Sequence, residues 1–320
     1  MQTHRQLLIA ILLGHMTLWT TACAESSRPG LQPSKDATVD GTVDGASDPD
    51  AAVSPDSEIP PDTAVYLDAN VDAAASCETS EHIFTETAET FVVPQDVRYM
   101  IIKAWGAGAN EEEQCPGYTG KGGPGGYTAV VLDVSPGATL VTAGATLSVV
   151  VGRRVGQNET PDEIARRGFA ASGGGGLSGV FTGGFPLSAS GYDRAVVIAG
   201  GGGSAGSQNP STCTMGLPGN HPQAGGMNDM QGGAGEHDNL NGGGGGYRGG
   251  QGGEWGQPGT GGTEHVPNHS DLLDSRIAYQ NVGQWTPPMT SDLDYDGTAA
   301  SSQARGLVVI RFVCDPPNPL

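Results

Sequence analysis

Aspartates 292, 294 and 296 alternate through Asp292-Leu-Asp-Tyr-Asp-Gly297, a spacing that lets carboxylates converge on a hard cation as the chain turns. The pattern matches the start of a helix–loop–helix calcium loop. Its twelfth position would be Gln303 rather than a bidentate glutamate, and no flanking helices are evident. The stretch therefore reads as a solvated acidic loop. A looser calcium site at Asp292, Asp294 and Asp296 is the one cofactor expectation. Gly202-Gly-Ser204-Ala-Gly206 has the GxSxG spacing of a nucleophile elbow, which must open a helix. Ser207-Gln-Asn-Pro-Ser-Thr-Cys213 is a poor helix, so Ser204 reads as a serine within a glycine run. A hydrolase using Ser204 is the weakest of three functional readings, and no catalytic residue is expected. Glu236-His-Asp238, and Glu264-His265 with His269, carry side chains that ligate transition metals. Pro267 excludes a helical pair of histidines, and solvated loop residues are the simpler reading. The glycine runs at 120–126 and 200–206 lack the phosphate-loop lysine pattern, which argues against nucleotide binding.

The chain has 320 residues and a formal charge of −20. That charge argues against nucleic acid, which is bound through clustered Lys and Arg. Residues 1–22 read as a secretory signal, with Arg5 before the short apolar run Leu7–Leu13. Thr20-Thr-Ala-Cys23 resembles a bacterial lipobox, although Thr20 stands where an aliphatic residue is usual. The resemblance implies a lipid on Cys23, an outer-membrane or cell-surface location, and membrane contact through that lipid. A plain cleaved signal is the alternative. Residues 23–76 are rich in Asp, Ala, Pro, Ser and Thr, too poor in apolar surface to offset ordering entropy. They read as a disordered acidic tether. Cys77, Cys115, Cys213 and Cys314 follow, a number that suggests two disulfides with three possible connectivities in an exported chain. Because Cys77 and Cys314 bracket the glycine-rich region, the expected pairs are Cys77–Cys314 and Cys115–Cys213.

Residues 77–320 read as one mainly β domain. Val97–Trp105, Tyr127–Val134, Thr146–Val151, Arg194–Ala199 and Gly306–Val313 are strand-like and apolar on both faces, as strands buried on both sides are. Short helices are read only at 162–167 and 270–279. Between the strands lie many of the chain's 53 glycines, spaced by three at 117–126, 243–252 and 250–262. Three residues per turn is the polyproline II repeat, so each such stretch predicts a helix with a stripe bare of side chains. Two such helices can approach until their backbones bond. At about 3.1 Å per residue the stretch 250–262 would make one rod of roughly 37 Å.

The ordered succession Val93-Pro94, Ile101-Ile-Lys-Ala-Trp-Gly-Ala-Gly108, Gly120-Lys-Gly-Gly123, Leu147–Gly152, Gly173–Gly176, Val196–Gly203 and Gly306–Cys314 resembles the extracellular glycine-rich domain of the anaplastic lymphoma kinase and leukocyte tyrosine kinase receptors. The resemblance runs from about Phe91 to Cys314. It implies a jelly-roll-like β-sandwich with glycine-rich insertions forming polyglycine helices, and a role in binding a protein ligand. The glycine runs are shorter here, and no HRD or DFG kinase motif occurs. The leading expectation is a non-enzymatic, surface-displayed recognition or adhesion lipoprotein whose partner is a protein or glycan at the cell surface. A structural envelope scaffold is the alternative. Tyr247, Arg248 and Trp255 project from the glycine tracts and are the candidate ligand contacts. Packing between glycine helices and sheet is the competing role for them.

Overall fold

The runs of β-branched and aromatic residues form the strands expected of them in a computed structural model. The structure describes residues 77–320 apart from 87, 111–120, 157–158, 208–212, 236–240 and 255–256. In chain order the elements are β1 (Ser80–Phe84), β2 (Ala88–Val92), β3 (Tyr99–Trp105), β4 (Tyr127–Asp133), β5 (Thr146–Val150), α1 (Pro161–Arg166), β6 (Ser178–Thr182), β7 (Ala195–Ala199), β8 (Gly206–Ser207), β9 (Cys213–Thr214), β10 (Leu272–Ala278) and β11 (Leu307–Val313). Two antiparallel sheets result, ordered β1-β11-β3-β4-β10 and β2-β5-β6-β7, with a small β8-β9 ribbon. The expected Cys77–Cys314 disulfide is present and ties the chain before β1 to the end of β11. The expected Cys115–Cys213 bridge, the signal and the tether lie outside the described residues.

Strand alternation explains why both faces of these strands are apolar. Met100, Ile102 and Ala104 of β3, with Val308, Ile310 and Phe312 of β11, point inward. There they meet Leu147 and Val149 of β5, Val180 of β6 and Val197 of β7 in one buried cluster between the sheets. The residues between them face outward, and several are covered too. Trp105, Tyr127, Leu307 and Val309 lie under a cover that includes Met289, Tyr295, Ala299 and Ala300. On the other sheet Val150, Phe181 and Ile198 lie under Ala165, Phe169, Leu177 and Met230. The molecule is therefore layered beyond two sheets, and central strands such as β4 and β7 are buried on both faces.

The helix read at 162–167 is α1. Thr160 caps it in a reciprocal capping box with Glu163, and Pro161 occupies the first turn. The helix read at 270–279 is instead strand β10, paired along β4 from Leu272↔Leu132 to Ala278↔Tyr127. Without β10, β4 would be an edge with unpaired amides. Pairing overrides the weak helical signal there.

The glycine-rich segments carry neither helix nor strand over most of their length, yet their amides are paired with one another. In 106–110, Gly106 and Ala109 donate to Gly126 and Gly123, Ala107 and Asn110 to Gly176 and Gly173, and Gly108 to Ala304. The partner segment changes at each residue and returns at every third. Segment 200–205 sits in the middle of this pattern. Gly201 and Ser204 donate to Gly245 and Gly242, Gly202 and Ala205 to Ala107 and Asn110, and Gly203 to Leu217. The Gly200 amide donates to the Asn220 side chain. In return its carbonyls accept from Gly123 and Gly126, from Gly175, and from Gly259 and Gly262. Six neighbouring segments thus surround one strand of backbone. This is where the cost of burying so much peptide is met, since every amide of 200–205 has its partner.

Space, rather than backbone handedness, demands glycine here. The φ of Gly201 lies outside the left-handed region, and a Cβ added to it would overlap the Gly175 carbonyl. At Gly202 it would overlap the Gly123 carbonyl, and at Gly203 the Gly259 carbonyl.

A second expectation is overturned as well. Residues 250–262 do not make a single rod. Thr260 donates to Gln251, Thr263 to Arg248 and Gln257 to Glu254, so the stretch turns back on itself. The first half then bonds to segment 241–246 and the second to segment 200–205 through Gly259 and Gly262. Folding back gives both halves partners, which an isolated rod would leave to solvent.

Candidate functional site

Arginines 153, 154, 167 and 305 line one pocket of about 390 Å³ together with Asn110 and Gln303. They come from four places in the chain. Arg153 and Arg154 follow β5 after Gly152, Arg167 caps the C-terminus of α1, Asn110 ends a glycine segment, and Arg305 precedes β11. Backbone bonds hold these places together. Arg153 donates to the Arg167 carbonyl, Gly176 to Arg153, Gly173 to Val155, Asn110 to Gly173, Gln303 to Ala109 and Gly306 to Gly152. The glycine bundle is thus the device that brings the four side chains to one place.

Behind the arginines stand carboxylates that orient them. Arg153 Nη2 pairs with Glu86 at 2.8 Å, Arg167 Nη1 with Glu159 at 3.2 Å, and Arg305 Nη2 with Asp296 at 2.9 Å. Arg154 Nη1 donates to the Asn110 side-chain oxygen. None of the three acids lines the pocket itself. Among the described residues the opening therefore presents guanidinium groups and side-chain amides, with Val155 as the one apolar side chain. Such a set recognises oxyanions by forked hydrogen bonds.

The three aspartates lie elsewhere, on the outer face of the five-stranded sheet. Lys103 of β3 pairs with Asp292 and Asp294, each at 2.8 Å, and Arg311 of β11 pairs with Asp294 and Glu81. The Tyr127 hydroxyl donates to Asp292, and the Trp105 indole donates to the Pro288 carbonyl beside the loop. Burial works against the Asp292 charge, but the Lys103 bond and charge and the Asp294 amide outweigh it, holding the carboxyl below its ordinary range. The Tyr127 hydroxyl is pushed up by burial and then by Asp292. Asp296 turns away to accept from the Thr298 and Ala299 amides and to pair with Arg305. The aspartates thus act as a clasp between loop and sheet. Among the described residues no three His, Cys, Asp or Glu side chains are grouped to hold a metal ion.

Ser204 is buried in the glycine bundle, its hydroxyl donating to the Gly242 carbonyl at 3.0 Å, whereas an elbow nucleophile stands exposed. Tyr247 is half-buried and stacked on His265, with ring centroids 4.3 Å apart, and Tyr192 meets it edge-on. It packs against the outer layer of the four-stranded sheet. Arg248 is exposed. Neither Tyr247 nor Arg248 lines the arginine pocket. His269 sits by Asp271 and Thr139, apart from any second histidine contact. Cys23, Cys115, Trp255 and Glu236-His-Asp238 lie outside the described residues. The arginine pocket was not anticipated. Its one sequence signal is a pair of Arg-Arg steps, at 153–154 and 166–167, in a chain with only 15 Lys and Arg.

No protein-family model matches the chain, and no curated protein matches it.

Proposed function

We propose that this chain is a non-enzymatic recognition protein, exported and held at a cell surface by a lipid on Cys23. The acidic tether 23–76 carries the domain away from the membrane. Its glycine segments are polyglycine rods of the polyproline II type, a reading supported by hydrogen-bond partners that recur at every third residue. The receptor-like role is that implied by the resemblance to the glycine-rich domain of the two receptor kinases, without their catalysis. One observation carries the proposal. An accessible pocket lined by four arginines is held in place by backbone bonds from a glycine bundle, within a chain of charge −20. Such a frame suits binding because little is left to order when a ligand arrives. The burial of Ser204 is consistent with recognition rather than hydrolysis.

The full chain carrying Cys23→Ser, so that no lipid is added, tests this on intact cells of its source. Recognition predicts saturable retention that unlabelled chain displaces. Retention that rises without saturating would instead mark a structural envelope component with no discrete ligand.

A further inference from the structure

We propose that the pocket of Arg153, Arg154, Arg167 and Arg305 takes an anionic sugar, a uronate or a sugar phosphate. The inference rests on the recognition reading above and names its ligand class. Charge comes first. In a chain of net charge −20, four of the 15 cationic side chains converge on one opening. The acids that accompany them, Glu86, Glu159 and Asp296, pair from outside the lining. Donor supply comes next. A guanidinium has five N–H donors, and the contacts made among the described residues use only some of them on each. Arg154 uses Nη1 on Asn110, and Arg167 uses Nη1 on Glu159 and the Arg154 carbonyl. Arg305 uses Nη2 on Asp296 and Nη1 on the Gly306 carbonyl. Arg153 uses Nη2 on Glu86 and the Thr85 carbonyl.

Size and polarity choose among anions. At about 390 Å³ the pocket is much larger than an isolated oxyanion and lies in the range of about 300–1,000 Å³ that holds small molecules. Its described lining gives little to an apolar ligand, since Val155 is the single apolar side chain among those residues. The Asn110 and Gln303 amides suit hydroxyl groups, which both donate and accept. A ring of hydroxyls bearing one carboxylate or phosphate satisfies both requirements.

Isothermal titration of the full chain tests the proposal with glucose 6-phosphate, glucuronate, polygalacturonate, inorganic phosphate and glucose as probes. At least one of the two anionic monosaccharides should bind, more weakly as salt rises. Inorganic phosphate and glucose should bind at least about tenfold less tightly than it does. Polygalacturonate binding per residue tenfold tighter than glucuronate would assign the source to a glycan chain. Equal or weaker binding would assign it to a free sugar acid or sugar phosphate. Arg154→Gln, whose side chain is exposed, should weaken binding about tenfold or more while the thermal midpoint stays within a degree or two. Arg248→Gln, outside the pocket, should leave affinity unchanged.

Absence of binding by every anionic sugar overturns the proposal, as does affinity indifferent to Arg154→Gln. Phosphate binding as tightly as the sugars overturns the sugar assignment. If cells retain the Cys23→Ser chain saturably while these titrations fail, the recognition reading stands and the ligand class falls. If neither binds, both fall.

Discussion

At Gly201 the close packing of two glycine segments depends on the absence of a single methyl group. The neighbouring Gly175 carbonyl occupies the space a Cβ would need, and both belong to buried backbone. Gly201→Ala must therefore push two paired segments apart, a core overpacking worth at least about 1–3 kcal/mol. Gly184 has nothing within 4 Å of its added Cβ and does not use the left-handed region, so Gly184→Ala should cost less than about 0.5 kcal/mol. Urea unfolding of the two variants side by side checks the contrast. His265 gives a second residue-scale expectation. Burial under Tyr247 disfavours its imidazolium and outweighs a hydrogen bond to the Ala195 backbone, so its folded pKa lies below the ordinary 6.5. The unfolded chain therefore takes up the proton first as pH falls. Stability is complete above pH 6.5 and declines from there down through the depressed folded value. His221 is shifted in the same direction by burial and adds to the decline. Unfolding free energies measured between pH 7.5 and 5 should show this loss, and His265→Phe, which preserves a stacked ring, should reduce it.

Elements differ in how far their own residues announce them. Strands β4, β5 and β7 were legible because they are buried almost throughout, and β3 and β11 because Lys103 and Arg311 are the only charges in their apolar runs. β10 was not, since Leu273, Ile277 and Arg276 remain exposed along it, and only the hydrogen-bonding need of β4 makes it a strand. The period-three glycines announced backbone contact. They could not announce the reversal within 250–262, which depends on which segments stand ready to accept each amide. The candidate site was the least legible. Arg153-Arg154 and Arg166-Arg167 are visible as dipeptides, but Arg305 joins them only through the bonds of Gln303 to Ala109 and Gly306 to Gly152. Conversely, the aspartates of the acidic triplet pair with Lys103, distant in sequence, and with Arg305 and Arg311 further along the chain. The disulfide between Cys77 and Cys314 spans a separation of 237 residues and fastens edge strand β1 to β11. Replacing both cysteines by serine should lower the unfolding free energy by about 2–5 kcal/mol. Calorimetry under non-reducing conditions checks this; an unchanged midpoint would mean that the sheets need no such fastening.

For the molecule as a whole, the apolar sheets and the glycine bundle are one cooperative structure rather than a folded frame trailing glycine loops. The sheets supply hydrophobic burial, and segments such as 106–110 and 200–205 continue directly from β3 and β7 into the bundle. The bundle in turn fixes the pocket, so the pocket's geometry depends on residues that never reach the surface. Native-state amide exchange resolves this by residue. The account predicts that the amides of Gly201, Gly202, Gly203 and Ser204 exchange as slowly as those of β3, because each opens only when the whole domain unfolds. Exchange of those four amides at the rate of an open loop, while β3 stays protected, would contradict it.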